Sequence, residues 1–214
     1  MKKNFTIDLI FEYILCAICI FYVIIGSITV KEGYIFSSLI TLGTIIGIRI
    51  FFTACKIKLP ISLNLTIQFF IFISMILGKI NNFYGLFPWW DLFLHLVSGP
   101  VLVMVGYIIF IKINKKNIKN NVTAITIVMF SLFFGIAMAG CWEIFEFTTD
   151  KLLGLNSQGG SLQDTMEDII AGTLGSIFMI PFLLKYLKYG KGAFFHNLTK
   201  SMIGENHKDY NKNN

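Results

Sequence analysis

Six long apolar blocks joined by short polar segments constrain this chain more than any other feature. They cover residues 7–30, 34–55, 61–78, 91–111, 122–147 and 165–184. A helix crosses the hydrocarbon core of a bilayer with about 20 apolar residues, so each block spans or nearly spans. Backbone exposed to lipid must satisfy its hydrogen bonds internally, and no ten-residue alternating strand pattern is present, which leaves helices. The expected fold is all-α: a polytopic membrane helical bundle of about six transmembrane helices. It is read as a single bundle over residues 1–184, followed by a polar cytoplasmic tail over 185–214. The chain is 55% hydrophobic and 14% charged, against about 25% charged in soluble domains. A soluble enzyme, a disordered chain and a small disulfide scaffold are excluded. The first block is too long for a cleavable signal peptide and no A-x-A site follows it, so it is read as a span.

The basic residues set the orientation. Fourteen lysines (Lys2, Lys3, Lys56, Lys58, Lys112, Lys115, Lys116, Lys119, Lys185, Lys188, Lys191, Lys200, Lys208 and Lys212) fall on one side, and three (Lys31, Lys79 and Lys151) on the other. Both termini are therefore expected in the cytoplasm, and the protein in the bacterial cytoplasmic (inner) membrane as a multi-pass chain. The net charge of +6 is absorbed by this asymmetry, leaving no basic patch for nucleic acid. Trp89 and Trp90, behind Pro88, fit an interfacial anchor at the outer start of the fourth helix. Residues 81–90 are short enough to be re-entrant or interfacial. His196 and His207 are read as solvated tail residues.

Of twelve acidic residues, seven fall in three short runs. Asp91 and His95 open the fourth helix, Glu143, Glu146 and Asp150 close the fifth, and Asp164, Glu167 and Asp168 open the sixth. By the topology above, all three runs lie at outer helix ends. At about 100° per residue, Asp91 and His95 differ by roughly 40°, as do Asp164 and Asp168, and the fifth-helix acids fall within about 60°. Each run has one face, and Glu167 is its least aligned member. The same faces continue with small residues that let membrane helices approach: Ser98, Gly99 and Gly106, then Gly135 and Ala139, then Gly172 and Gly175.

A charge at the centre of a membrane helix costs about 2.5–3.5 kcal/mol on insertion scales. Acids at helix N-termini are favoured by the dipole, which accounts for Asp91, Asp164 and Glu167 without any function. It does not account for Glu143, Glu146 and Asp150 at a C-terminal end. Either most of these carboxyls are protonated or cations hold them. One His among carboxylates suits Zn, Mn or Fe, and oxygen-only subsets suit Mg or Ca. The candidate metal ligands are Asp91, His95, Glu143, Glu146, Asp150, Asp164 and Asp168. His95, Asp91 and Glu143 are the candidate catalytic groups, with a divalent metal ion (Zn, Mn, Mg or Fe) as cofactor.

Elsewhere, Arg49 lies near the inner end of the second helix and Asp8 and Glu12 at the inner end of the first, an expected ion-pair staple. The loop 155–163, reading LNSQGGSLQ, leads its backbone amides into the sixth helix, a place that favours an anion. A plain flexible turn explains it equally well. Cys16, Cys19, Cys55 and Cys141 are read as small packing residues, since no second Cys pair or His accompanies Cys16 and Cys19.

The pattern D91-x-x-x-H95-x-x-x-G99, W142-E143, Q158-G159 and D164-T165-x-x-D168 resembles the YjdF-type bacterial inner-membrane proteins, over roughly the second half of the chain. The Gln-Gly to Asp-Thr spacing is one residue longer here. A looser resemblance links the chain to VanZ-like proteins, which carry D-x-x-x-H, a Glu-containing helix and a late Asp. Their late Asn is Ala171-Gly172 here. The resemblance implies that Asp91, His95, Glu143 and Asp168 act as a unit, and the VanZ-like tie implies a cell-envelope role.

Three functions are open at this level. The first is a divalent-metal-dependent hydrolase or transferase acting on a membrane lipid or lipid-linked cell-envelope substrate. G-x-S-x-G, H-E-x-x-H and D-x-x-D-G-x-x-A-R are all missing from the sequence. The second is a cation- or proton-coupled transporter, for which an inverted repeat would be expected. The third is a non-catalytic envelope or antibiotic-tolerance factor.

Overall fold

The structure is a computed structural model that describes residues 6–114, 123–154, 157–159 and 161–203, with the side chains of 153 and 201–203 excepted. Lys2, Lys3, Lys115, Lys116, Lys119, His207, Lys208 and Lys212 lie outside the described residues, as does part of the 155–163 loop. The described chain is helical without strands: α1 (Ile7–Thr29), α2 (Glu32–Ala54), α3 (Ile61–Ile71) widening into a π-helical stretch (Phe72–Ile80), α4 (Phe83–Leu86), α5 (Trp90–Ile113), α6 (Ala124–Leu153), α7 (Leu162–Tyr189) and α8 (Ala193–Ile203). Six of these segments are long and apolar enough to cross a membrane: α1, α2, α3 with its π stretch, α5, α6 and α7. The protein is a multi-pass membrane protein.

Two compact units divide the chain, one ending at Trp90 and the other beginning at Asp91. In the first unit, α1 inverts the amphipathicity of a soluble helix. Its buried positions are Asp8, Glu12, Leu15, Cys19 and Gly26, a stripe at helical spacing, while Ile10, Ile14, Ile24 and Ile28 point outward. Lipid is as apolar as Leu, so polar side chains gain by facing protein. The inward acids find partners: Asn64 Nδ2 donates to Asp8 Oδ2 at 2.8 Å and Gln68 Nε2 to Glu12 Oε2 at 3.3 Å. Arg49 Nη2 lies 3.0 Å from Glu12 Oε1, so the staple forms through Glu12. At the far end of this unit the tyrosine ring of Tyr84 packs over Gly78. Residues 81–90 form the single turn α4 and an aromatic knot in which Phe83 and Trp90 are 5.0 Å apart edge to face. Trp90 is buried and Trp89 exposed, so of the two tryptophans only Trp89 has the exposure of an interfacial anchor.

In the second unit the helices run past the boundaries that apolar content suggests. α6 continues from residue 147 to Leu153, ending at Gly154 with φ 67°, and α7 begins at Leu162 and continues to Gly190 with φ 63°. The extra turns are polar, and capping decides them: Ser161 Oγ accepts from the backbone N–H groups of Gln163 and Asp164 at 3.2 and 3.3 Å. Left-handed glycines end both helices without a Cβ penalty. Downstream, α8 buries Phe195 and Leu198, and Thr199 hydrogen-bonds the fully buried Tyr107 hydroxyl of α5. The segment after Lys185 thus contains a docked helix.

Candidate functional site

Three helices of the second unit build the site. The buried stripe of α6 runs Val128, Ser131, Gly135, Ala139, Glu143 and Glu146, and that of α7 runs Asp168, Ala171, Gly172, Gly175 and Ser176. Both stripes are small in the middle and acidic at one end. Ideal Cβ atoms added to the glycines locate the close approaches. At Gly172 one would lie 2.9 Å from Ala139 Cβ, at Gly135 2.6 Å from Ser176 Oγ, and at Gly99 it would run into the backbone of Gly172 and Ser176. At Gly175 it would overlap the carbonyl oxygen of Leu96. Pro100, inside α5, has no N–H to offer that carbonyl four residues back, so the missing helical donor and the missing side chain coincide. The proline was legible in the sequence, but not the meaning of its register.

This seam brings His95 against carboxylates from three helices. Nε2 of His95 lies 3.7 Å from Asp91 Oδ1, 3.6 Å from Glu143 Oε1 and 3.8 Å from Asp168 Oδ2. Ligand atoms of Asp91, His95 and Asp168 all lie within 4.8 Å of one another. Glu143 and Asp168 are each 3% exposed and His95 7%; the Asp91 side chain, at 29%, forms the open edge. Both carboxylate oxygens of Glu143 are buried, with the Gln158 and Thr165 side chains beside them.

The separations are compatible with a shared ion. N–H···O bonds measure about 2.7–3.2 Å, so 3.6–3.8 Å is too long for a hydrogen-bonded cluster. Neighbouring ligands around a tetrahedral ion with bonds of about 2.0–2.2 Å lie about 3.4 Å apart. One imidazole nitrogen with carboxylate oxygens is also the donor set that such ions accept. Burying several carboxylates around one imidazole costs several kcal/mol per ion unless a cation compensates. The residues present therefore fit a divalent metal.

The other predicted ligands are placed differently. Glu146 is buried one turn further along α6. Asp150 holds the loop, accepting from the backbone N–H groups of Ser157 and Gln158 at 2.8 and 3.0 Å. Asp164 is partly buried in the first turn of α7, outside the three-residue group. Glu167 is exposed and accepts from Gln163 Nε2 at 2.7 Å, as its poorer alignment suggests. Gln158 is the residue at this site that spacing alone did not single out. Its amide donates to the Glu143 carbonyl at 3.3 Å and to Thr165 Oγ1 at 2.9 Å, bridging the loop to α6 and α7. Asp150→Ala is expected to cost about 2 kcal/mol through two charge-assisted bonds, read as a lower melting temperature with unchanged helix content.

A multi-pass membrane protein with a buried His–carboxylate centre at the meeting of three helices is the class this architecture defines. The chain belongs to the family described as "Predicted membrane protein (DUF2238)", which it matches over residues 10–189; this is the family of the YjdF-type resemblance. An uncharacterized protein of Thermotoga maritima is 34% identical over 123 residues, which is 57% of this chain and 62% of that protein. The chain thus spans less than two thirds of the length of that relative. No solved structure matches it.

Proposed function

We propose that the Asp91–His95–Glu143–Asp168 centre is the active site of a divalent-metal-dependent hydrolase or transferase acting on a membrane lipid or lipid-linked cell-envelope substrate. One observation carries the reading: the buried Glu143 carboxylate faces the Asp91–His95–Asp168 group, 3.6 Å from His95 Nε2. Asp91, His95 and Asp168 would hold the ion. A bound divalent ion supplies Lewis acidity toward a phosphoryl or acyl oxygen and lowers the pKa of a coordinated water. Glu143, outside that three-residue group, is the general base: a carboxylate beside the ion can take the proton of an attacking water or hydroxyl. Asp91 at the open edge marks the side from which substrate enters. Gln158 positions the base by fixing the Glu143 backbone and the first turn of α7. The lysine asymmetry assigns this end to the outer leaflet of the cytoplasmic membrane, and the looser VanZ-like resemblance supports an envelope substrate.

The test is metal analysis of purified protein after equilibration with Zn, Mn, Mg or Fe, paired with mass spectrometry of a bacterial polar lipid extract incubated with it. One metal per chain and a metal-dependent new lipid product are expected. Less than a tenth of an equivalent of every ion would overturn the reading. So would cation flux in liposomes that Asp168→Asn abolishes, without any lipid turnover, since that identifies a transporter. Orientation is checked separately. In a background without Cys16, Cys19, Cys55 and Cys141, Ser161→Cys is expected to react from outside intact cells with a membrane-impermeant thiol reagent.

A further inference from the structure

The first unit holds a cavity of about 410 Å³ where α1 begins, α2 ends and α3 begins. Its walls divide by chemistry. Ile45, Ile48, Phe52, Ile67 and Ile71 line one part, and Glu12, Arg49, Lys58, Asn64 and Gln68 the other. The polar part is only partly self-satisfied. Glu12 engages one edge of the Arg49 guanidinium, which carries five donors, and the Arg49 side chain is still 52% exposed. Lys58 is exposed and makes no ion pair among the described residues. Gln68, 3% exposed, spends its amide N–H on Glu12 and leaves Oε1 buried without a hydrogen-bond partner.

A ligand that complements these walls carries an anion for Arg49 and Lys58 and a hydrocarbon chain for the isoleucine wall. We propose that this cavity is a binding site for an anionic phospholipid, with the phosphodiester against Arg49 and Lys58. The volume lies within the range of about 300–1,000 Å³ of small-molecule sites, room for a headgroup and the first methylenes of one chain. Arg supplies a planar fork for phosphate and Lys a mobile point charge. The inner ends of α1 and α2 are where the lysine count places the anionic leaflet, whose lipids attract such groups. The site is independent of the His95 centre and of its chemistry.

Native mass spectrometry of the full chain in detergent, titrated with phosphatidylglycerol or phosphatidylcholine, tests this. Phosphatidylglycerol is expected to bind more tightly, and Lys58→Glu to weaken it about fivefold or more, the effect of losing at least one basic contact. Lys58 makes no ion pair among the described residues, so this variant is expected to fold; an unchanged melting temperature in phosphatidylcholine checks it. Arg49→Lys keeps the charge and loses the fork, and an intermediate loss is expected. Lys31→Glu, at the opposite end of the same unit, is expected to leave affinity unchanged. Equal binding of the two lipids, or equal loss in Lys31→Glu and Lys58→Glu, would overturn the proposal. Displacement by millimolar inorganic phosphate would also overturn it, because the ligand would then be free phosphate.

Discussion

His95→Ala and Asp168→Asn are each expected to leave the purified protein with less than a tenth of the wild-type metal, while Glu143→Gln keeps the metal and loses turnover. The split follows from geometry. Asp91, His95 and Asp168 present ligand atoms within one small sphere, and removing one of three protein ligands costs more than the 10–100-fold typical of groups that only orient ligands. Glu143 stands 3.6 Å from Nε2 with both oxygens buried. Its amide isostere keeps the shape and removes the base, a loss of about 100-fold or more in rate. Inductively coupled plasma measurement of metal and mass spectrometry of lipid products read the two effects separately. Metal loss in Glu143→Gln equal to that in His95→Ala would make Glu143 a ligand, and full turnover in Glu143→Gln would remove its role as base. Because the centre also ties α5, α6 and α7 together, metal binding is expected to raise the melting temperature of wild type and not of His95→Ala.

Gly175→Val is expected to prevent accumulation of folded protein, and Gly175→Ala to destabilise it by about 1–3 kcal/mol, the range for overpacking a close contact. An added Cβ there meets the backbone carbonyl of Leu96 and, at 3.1 Å, Pro100 Cδ. Neither can rotate away, so α5 and α7 must separate. Gly140→Ala is the control: nothing lies within 4 Å of its added Cβ, and the gain in helix propensity makes it neutral or slightly stabilising. Thermal melts in detergent, scored against expression level, separate the two. A Gly175→Ala protein as stable as Gly140→Ala would show that the helices do not touch there. Separation of α5 from α7 would also pull Asp168 from His95, so metal binding is expected to fall in Gly175→Ala even where the chain folds.

The six spans and the one-faced acid runs were legible because each rests on local spacing. A stretch of twenty apolar residues or an i,i+4 pair of Asp91 and His95 needs no knowledge of neighbours. The helix ends were less legible. α6 and α7 extend into polar sequence because Gly154, Ser161 and Gly190 supply caps, and capping outweighs hydropathy at the interface. Spacing also could not sort the seven acids. All but Glu167 share the right faces, yet Asp150 is bound to the backbone of Ser157 and Gln158, Asp164 belongs to the first turn of α7, and only three carboxylates reach His95.

Composition and periodicity by themselves determined that this chain lives in a bilayer, which helices cross it and which face of each carries its acids. Those properties follow from single helices in a uniform solvent. The tertiary structure decided which acids meet, because that depends on how deeply α5, α6 and α7 interlock, and the interlock is set by glycines and by a carbonyl that Pro100 leaves without its helical donor. It also decided that Glu143 is buried beside His95 while Asp150 is bound to the loop backbone. Two carboxylates on one helix face, seven residues apart, differ in role because one meets three helices and the other meets a loop.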